Sequence, residues 1–479
     1  GDHPVRLLDE ILDRLDWSEW ETAYHGSRGQ PPIHPSVLAK VLLFALIRRI
    51  RSSRQIEYNI NHSIDFIWLV SGRTIDHVTI SEFRRKHQEQ LKKIYRQMVQ
   101  LALDLKVAKL AELCIDGTRI LANANRYKTW TAERLQKAID ELDEQMAQAL
   151  LAIGTADDLE DLLDDGQASD QLPQAMADLK TRRQLLDQLQ AKLSQMDADR
   201  RANGIDPRKN PAQLPKTDPD ARILPNKEGG YAANYTPMVM TETGHGFIVA
   251  ADVVIGNVEH TCLTTMMDTV EAAHDARVET VMGDTAYSAG ENLTAMEERG
   301  TELLAPLADV KCADNPAERD DLTQAVDESA VARLPINPQT KRFDKTAFVY
   351  DEEHDCYYCP AGKVLPCSGR EKKTRAGRTT IQLNYTCYDC AGCSMGHLCR
   401  VNPEARKGRK ITHDLHEGVR RRHRQRMAAP ENKERYKRRQ HFGETPFAVI
   451  KAAFEFRRFL LRSLESVQTE WLWACTAFN

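Results

Sequence analysis

Apolar positions recur at helical spacing through the first part of the chain. The helices that this spacing predicts are 4–15, 35–50 and 54–61. Thr79 and Glu82 have the spacing of a capping box, which predicts a further long helix through residues 83–103. Residues 1–107 are therefore expected to form a helical domain.

Two short apolar runs later in the chain each end in an aspartate. Residues 110–115 run into Asp116, and residues 278–282 run through Gly283 into Asp284. Their length and apolar character predict two buried strands with an aspartate at the edge of each. A lone Asp beside a glycine is most often a turn or capping residue. A functional role therefore requires other carboxylates at the same point.

The segments around these strands complete an ordered series. The predicted elements are a hairpin, a helix, a second helix and a last strand: 231–240 with 247–255, 261–274, 291–299 and 302–306. Strand with Asp, hairpin, helix, strand with Asp, helix and strand is the order of the ribonuclease H topology. A third acid is then expected on a helix after the fifth strand. Glu444 is the candidate, and Glu434 and Glu455 are its rivals.

Three acids from separated segments suit phosphoryl transfer with two metal ions. Asp116, Asp284 and Glu444 would supply carboxylate oxygens, which are hard ligands for Mg²⁺ and leave positions for water and phosphate. The alternative for Glu444 alone is a surface or capping acid. Pro446 either starts a new helix or kinks a continuous one, and the choice changes how Lys451 projects.

Two insertions are expected between these elements. A charged helical stretch at 131–196, interrupted around 154–173, predicts two antiparallel helices, and a linker is expected at 203–225. The chain between Asp284 and Glu444 is far longer than one strand and one helix need, which implies an inserted domain.

The second insertion contains seven of the 11 cysteines. The pairs Cys356 with Cys359 and Cys390 with Cys393 have the spacing of a zinc ribbon, with Cys387 and Cys399 as alternate ligands. A disulfide framework is the alternative, and the lack of a secretory context disfavours it. The remaining cysteines are expected to be buried thiols: Cys114, Cys262, Cys312 and Cys475.

Charge is segregated along a chain of 479 residues with a net charge of -4. Residues 157–165 are acidic and residues 400–439 are basic. A basic run indicates either nucleic-acid contact or a solvated helix face. There is no membrane-length apolar run and no signal peptide, so we expect a cytoplasmic protein. The first residue is Gly1 rather than Met, which suggests a trimmed or tagged chain.

The predicted fold class is multidomain α+β. It has a ribonuclease H-like core of mixed sheet and flanking helices, an N-terminal helical domain, a helical-hairpin insertion and a zinc-ribbon-like insertion. The expected segments are a DNA-binding or dimerisation domain, the first core part, the hairpin, the second core part, the cysteine insertion and the C-terminal helical core part: 1–107, 108–130, 131–205, 206–310, 311–425 and 426–479.

The chain resembles the DDE transposases of bacterial insertion sequences, in the subgroup with an N-terminal helical domain and a cysteine cluster before the last acid. The segments that carry the resemblance span nearly the whole chain: DHPVRLLDEILDRLD, SSRQIEYNINHSIDFIWLVSG, DHVTISEFRRKH, IDGTRILANAN, TDPDAR, GDTAYSAGENL, the cysteine cluster and YKRRQHFGETPFAVIK. The last of these looks like the Tyr, Arg, Glu and Lys series of such enzymes, here Tyr436, Arg439, Glu444 and Lys451.

The resemblance implies metal-dependent DNA cleavage at transposon ends and strand transfer into target DNA. Two Mg²⁺ (or Mn²⁺) ions would be held by the acid triad, and Zn²⁺ by the cysteines. Tyr436, Arg439 and Lys451 would contact DNA, together with Arg84 and Arg85 on a basic helix face. The expected partners are double-stranded DNA, as terminal inverted repeats and target, and further copies of the chain in a homodimer or larger assembly. No membrane partner is expected, and the place of action is the nucleoid of a bacterial cytoplasm.

Two other functions fit parts of the same sequence. One is an inactive transposase-derived DNA-binding protein, which would keep the helical domain and the cysteines without metal-dependent turnover. The other is a metal-dependent DNA nuclease without strand transfer. The intact acid triad favours the two enzymes, and joined DNA products distinguish a transposase from a nuclease.

Overall fold

The computed structural model describes residues 3–21, 33–163, 171–226, 229–307, 315–375, 378–403 and 408–479. Its first part is helical, with elements α1 (Pro4–Asp13), α2 (Ser18–Glu21), α3 (Pro35–Ile47), α4 (Ser53–His62), α5 (Ile64–Leu69), α6 (His77–Lys86) and α7 (Gln88–Asp104). None of the helices in these ranges is long and apolar enough to cross a membrane.

The predicted capping box at Thr79 and Glu82 is wrong. Asp76 caps α6 instead, because its carboxylate accepts a hydrogen bond of 2.7 Å from the backbone N–H of Thr79. The predicted long helix is also divided, since His87 separates α6 from α7.

A mixed sheet follows these helices. The strands of this part of the chain are β1 (Glu112–Gly117), β2 (Ile120–Leu121), β3 (Thr129–Trp130), β4 (Leu214–Pro215), β5 (Arg222–Pro225), β6 (Tyr231–Glu242), β7 (Ile248–Val254), β8 (Thr280–Met282) and β9 (Glu302–Leu304). Strands β3 and β4 form a separate pair, and the others form the mixed sheet. Helices α10 (Leu263–His274) and α11 (Gly290–Arg299) connect its last strands. The central order is β7-β6-β1-β8-β9. Strands β1, β8 and β9 are parallel, and β6 is antiparallel to both β1 and β7.

The first insertion is a pair of long helices, α8 (Ala132–Leu163) and α9 (Gln171–Ala202). Leucines and Ile139 of the two helices form a separate hydrophobic cluster with Leu214 of β4. The interruption was predicted to begin at Gly154, but α8 continues through that residue. The segment 164–170 lies outside the described residues, as does Cys312.

The second insertion is built on a five-stranded antiparallel sheet. The strands are β10 (Val349–Asp351), β11 (Cys356–Tyr358), β12 (Val364–Arg375), β13 (Arg378–Thr386) and β14 (Lys410–Asp414). Short α12 (Gly396–Cys399) follows β13. Phe343, Tyr357 and Tyr385 are buried in a core that is distinct from the core of the mixed sheet.

The chain ends in four helices that return to the mixed sheet. They are α13 (Glu417–Ala428), α14 (Pro430–Lys437), α15 (Arg439–Ala448) and α16 (Leu464–Phe478), with a π-helical turn at Val449–Ala453 after α15. Trp471 of α16 is fully buried, and its indole N–H donates to the carbonyl of Met238 in β6 at 3.0 Å. Helices α3, α6 and α7 share one continuous hydrophobic core with this sheet and α16.

The stretch predicted as a linker contributes to this packing. Asp218 is buried and accepts a hydrogen bond of 2.8 Å from the Tyr235 hydroxyl. Asp218 also accepts from the backbone N–H of Ser463 at 3.2 Å, and Asp220 accepts from the N–H of Leu464 at 3.0 Å. The two aspartates therefore satisfy backbone donors at the start of α16.

Candidate active site

The three parallel strands of the mixed sheet present matching rows of side chains to α14 and α15. Because alternate residues of a strand share a face, the register aligns a first row of Glu112, Thr280 and Glu302. The second row is Cys114, Met282 and Leu304, and these buried side chains form a cluster with Phe442 of α15. The next position on the same face belongs to Asp116 on β1 and to Asp284 after β8.

Arg435 attaches α14 to the first row. Its guanidinium contacts the carboxylate of Glu112 at 2.8 Å and that of Glu302 at 2.6 Å, and donates to the Thr280 hydroxyl at 3.0 Å. Arg438 adds a contact of 3.3 Å to Glu112. These contacts fix the direction in which α15 crosses the sheet toward the two aspartates.

Asp116 and Asp284 leave the sheet on neighbouring parallel strands, each two residues beyond the aligned pair Cys114 and Met282. The backbone N–H of Gly117 donates to Asp116 Oδ1 at 2.8 Å. Asp284 Oδ1 accepts from the N–H of Ala286 at 2.8 Å and caps a 3₁₀ turn at Thr285–Ser288. Neighbouring strands are about 4.8 Å apart, so the structure brings these two predicted site residues together.

The helix after this turn begins without the cap that its sequence allows. Ser288 and Glu291 have the spacing of a capping box, but the Ser288 hydroxyl donates to the carbonyl of Thr285 at 2.8 Å. Helix α11 begins at Gly290 without a side-chain cap. The helix itself and its end at Gly300, in the left-handed conformation, agree with the sequence pattern.

Helix α15 lies directly against Asp116 because residue 443 is glycine. A Cβ atom at Gly443 would lie 3.2 Å from Asp116 Oδ2 and 3.2 Å from Cys114 Sγ. Side chains rarely tolerate such spacing, so glycine permits the close approach. Glu444 is the next residue of α15, and its side chain is exposed to solvent.

Arg439 pairs with the first aspartate. Its Nη2 atom lies 3.0 Å from Asp116 Oδ2, and both side chains are largely shielded from solvent. Burial works against the guanidinium charge, but the charge of Asp116, with smaller contributions from Tyr436, Cys114 and Asp284, raises the pKa of Arg439. Burial chiefly raises the pKa of Tyr436, and Asp284 adds to this effect. Arg439 thus interacts electrostatically with both aspartates, and Tyr436 interacts with Asp284.

Pro446 lies inside α15, and the helix continues directly into the π-helical turn. Proline removes a backbone donor, and single π-helical turns occur frequently at functional sites. Lys451 lies in this turn, and its ammonium group donates to the Thr118 hydroxyl at 2.5 Å. Thr118 is two residues beyond Asp116, so the turn returns Lys451 to the same edge of the sheet.

Arg84 and Arg85 lie in different surroundings. Arg84 lines a groove with Arg51, Phe456 and Glu470 and donates to the carbonyl of Arg51 at 3.0 Å. Burial lowers the pKa of Arg84 to about 10. Arg85 is exposed and lies 3.8 Å from Glu82 on the same helix. Of the two predicted DNA contacts, only Arg85 faces solvent.

The basic run is largely used inside the molecule. Arg420 pairs with Asp414 at 2.6 Å, and Arg422 pairs with Glu297 at 2.7 Å and Glu352 at 2.5 Å. These pairs attach α13 to α11 and to the inserted sheet. For a basic run of this kind, the sequence indicates either nucleic-acid contact or a solvated helix face. In the structure, Arg420 and Arg422 of α13 instead form ion pairs that join parts of the protein.

Four of the clustered cysteines interact electrostatically with one another: Cys359, Cys390, Cys393 and Cys399. Burial, together with the neighbouring thiols, raises the pKa of Cys399 to about 11, although Arg409 opposes this. Burial likewise raises the pKa of Cys387, which adjoins Cys390 and Cys359, to about 12.

Arginines hold the backbone around these thiols. Arg319 donates to the carbonyl of Cys359 at 3.0 Å, and Arg400 to that of Cys390 at 2.8 Å. Arg409 donates to the carbonyl of Cys399 at 3.1 Å. The N–H of Lys363 also donates to Cys359 Sγ at 3.4 Å. The cluster is therefore supported from several segments.

Cys356 has a different electrostatic environment. It lies in β11, three residues before Cys359, and Asp351 and Asp355 contribute to raising the pKa of its thiol. The alternation of β11 directs Tyr357 and Cys356 to opposite faces. The pairing of Cys356 with Cys359 as metal ligands stays a prediction.

In the described ranges, no three Asp, Glu, His or Cys side chains are already placed together as a metal site. No sequence motif marked Glu112, Glu302 and Arg435, which position the site without belonging to it. A signal was present, because each acid opens a strand and Arg435 precedes Arg439 by one helical turn.

Comparison with known proteins adds evidence at both ends of the chain. Residues 358–479 match the family model described as a transposase DDE domain. Residues 1–86 match the model described as a transposase domain, DUF772. No curated protein matches the chain.

One solved structure is similar over part of its length. It is a pre-cleavage Mos1 transpososome, at 8% identity and a TM-score of 0.16, covering 61% of this chain and 66% of that chain. This chain thus spans just under two thirds of the length of that one, and a TM-score this low carries no argument about the fold.

The family models that match at the two ends of the chain support a DDE transposase of an insertion element, as the sequence motifs predicted. Members of this family generally use divalent metal ions such as Mg²⁺.

Proposed function

We propose that this transposase cleaves DNA at the ends of its element in a metal-dependent reaction and transfers the cleaved strands into target DNA. The observation that carries the proposal is the position of Asp116 and Asp284 side by side, with α15 crossing directly over Asp116. We infer a ribonuclease H-like core, because the order β7-β6-β1-β8-β9 and the strand directions have that topology.

The donor set of the site fits Mg²⁺ or Mn²⁺, since carboxylate oxygens are the preferred ligands of both. Asp116, Asp284 and Glu444 would hold two such ions per site. When bound, the ions would lower the pKa of an attacking water or 3′-hydroxyl and stabilise the leaving 3′-oxygen.

The basic and aromatic side chains would position the DNA. Arg439 would give up Asp116 when a cation binds there and donate to a phosphate oxygen instead. Lys451 lies at the same edge through its contact with Thr118 and would neutralise a neighbouring phosphate. Tyr436 would stack on a base, and Arg85 would contact DNA at a distance from the chemistry.

The partners would be the terminal inverted repeats, the target DNA and at least one further copy of the chain. Two ends have to be handled together, so the proposed assembly is a dimer or larger, acting at the nucleoid of a bacterial cytoplasm.

The test is incubation of the purified protein with DNA that carries the element's own ends and a target plasmid, in Mg²⁺ or in EDTA. We expect cleavage at the ends and joined products in Mg²⁺ only. Cleaved ends without joined products would favour a nuclease. End binding without cleavage in Mg²⁺ or Mn²⁺ would favour an inactive DNA-binding protein.

We also propose that one Zn²⁺ is bound by Cys359, Cys390, Cys393 and Cys399, with Cys387 as the alternate. Thiolates at this spacing suit tetrahedral coordination. The electrostatic proximity of these thiols and the arginine contacts to their backbone support this choice over a set that includes Cys356.

The zinc proposal predicts different effects for two neighbouring cysteines. Cys359→Ser should lower the zinc content of the purified protein by more than about tenfold, a loss typical even of changes outside the ligand shell. Cys356→Ser, the matched control, should keep its zinc. Elemental analysis by mass spectrometry measures both. Equal zinc loss in the two variants would restore Cys356 to the ligand set.

A further inference from the structure

The Tyr287 hydroxyl is buried in the 3₁₀ turn that Asp284 caps and has no hydrogen-bond partner among the described residues. Its side chain is 0% exposed. Buried hydroxyl groups in proteins nearly always have a partner, so an exception calls for a physical reason. A group that binds at this point and accepts the hydrogen bond would provide one.

The ring of Tyr287 is held in place by the glycine before Asp284. A Cβ atom at Gly283 would lie 2.7 Å from the ring carbon Cδ2 and 2.9 Å from Cγ. Any other residue at position 283 would therefore displace the ring. The turn that follows Asp284 thus directs the hydroxyl to one fixed place.

Three carboxylates interact electrostatically with that hydroxyl. After burial, the charges of Asp116, Glu259 and Asp284 are the next causes that raise the pKa of Tyr287. A tyrosine hydroxyl is protonated at neutral pH in any case and is therefore a donor. Two of the acids belong to the proposed triad, but Glu259 does not.

Glu259 reaches the site from a different connection of the fold. It begins the 3₁₀ turn Glu259–Cys262, between β7 and α10. Its carboxyl carbon lies 3.3 Å from the position that a Cβ of Gly117 would take, and Gly117 adjoins Asp116. Glycine at 117 thus leaves room for the Glu259 carboxylate at the end of β1.

One buried side chain joins the segments of Glu259 and Tyr287. The amide of Asn292 donates to the carbonyl of His260 at 2.9 Å and to the carbonyl of Tyr287 at 3.2 Å. The two segments are therefore held in a fixed relation, as a preformed site requires.

We propose that Glu259 is a fourth carboxylate ligand of the divalent-cation site and that the Tyr287 hydroxyl donates to a water or phosphate oxygen held there. This inference rests on the proposed function, because it places both residues at the cation site of Asp116 and Asp284. Glu259 is the metal ligand in this arrangement. Tyr287 is a positioning residue, since it acts through an oxygen that the site holds.

The test measures cation binding in the full-length protein without DNA. Mn²⁺ is the probe, and electron paramagnetic resonance of free Mn²⁺ reports its affinity. Glu259→Gln should weaken binding by about tenfold or more, and Tyr287→Phe by about tenfold. The matched control is Glu298→Gln on the exposed side of α11, which should bind Mn²⁺ as the unaltered protein does.

Asp116→Asn in the same titration separates this inference from the proposed function. If Asp116→Asn weakens binding and Glu259→Gln does not, the role of Glu259 is overturned and the proposed function stands. If neither variant changes binding, the proposed cation site fails as a whole, and this inference fails with it.

Thermal unfolding without metal distinguishes a role of Tyr287 in binding from a role in folding. Because its hydroxyl has no partner, Tyr287→Phe should leave the Tm unchanged or raise it. A lower Tm would mean that the hydroxyl already has a structural partner, which overturns its assignment. An unchanged or higher Tm together with weaker Mn²⁺ binding would support it.

Discussion

Replacing Asp116 or Asp284 with asparagine is expected to abolish Mg²⁺-dependent cleavage at the element's ends. The rate should fall by a factor on the order of 10³ or more, because each change removes a charge that is needed to hold the cations. Binding of the ends should be largely retained, since the proposed DNA contacts are on other residues. A gel assay with labelled ends measures both quantities.

Asparagine is chosen because it keeps the local hydrogen bonds. Its side-chain oxygen can still accept from the N–H of Gly117, at 2.8 Å in the structure, or from that of Ala286, at 2.8 Å. It can also remain an acceptor for Arg439. The variants should therefore fold, and a lost reaction reports chemistry rather than unfolding.

Asp275→Asn is a suitable control for both variants. Asp275 is exposed at the end of α10 in the left-handed conformation, which asparagine adopts readily. It lies outside the proposed site, so cleavage should be unchanged. Full cleavage by Asp116→Asn or by Asp284→Asn would rule out the site described above.

Glu444→Gln should cause a loss of cleavage of the same order, about 10³-fold. Glu444 follows Gly443 in α15. A Cβ atom at Gly443 would lie 3.2 Å from Asp116 Oδ2, so Glu444 is the neighbour of a residue whose backbone packs against Asp116. Its side chain is exposed. An exposed substitution of this kind usually changes the free energy of unfolding by less than about 0.5 kcal/mol. The cleavage assay, with and without Mg²⁺, measures the effect.

The rival acids provide matched controls for this experiment. Glu434 is exposed on α14 and pairs with Lys437 at 2.5 Å. Glu455 is exposed and lies 3.4 Å from Arg49 of the N-terminal helices. Neither of these two ion pairs includes Asp116. Glu434→Gln and Glu455→Gln should therefore cleave normally, and loss of cleavage in one of them with an active Glu444→Gln would show that Glu444 is the wrong third acid.

The local pattern of the sequence was sufficient for most elements of the mixed sheet. Two apolar runs that end in Asp116 and Asp284 predicted β1 and β8, although β8 is shorter than its run. The hairpin of β6 and β7 also followed from its pattern. These elements are defined by short-range preferences, namely alternation, apolar runs and turn residues.

Helix boundaries near the site were less predictable. The pattern of segment 431–459 is helical, and Pro446 was expected either to start a new helix or to kink a continuous one. The segment contains α14, α15 and a π-helical turn, with Pro446 inside α15. The division follows from contacts with distant strands: Arg435 binds Glu112 and Glu302, and Lys451 binds Thr118. Such contacts lie beyond the reach of a local pattern.

Local patterns in the chain indicated which residues could carry the chemistry and in what order their segments occur. Which of these residues come into contact depends on the packing of the folded chain. Arg84 donates to the backbone of Arg51, whereas the carboxyl group of Glu259 lies beside Gly117, the residue after Asp116, although no motif marked it. The physical reason is that proximity depends on strand register and helix packing, which join residues far apart in the chain, while sequence patterns report only the conformation of near neighbours.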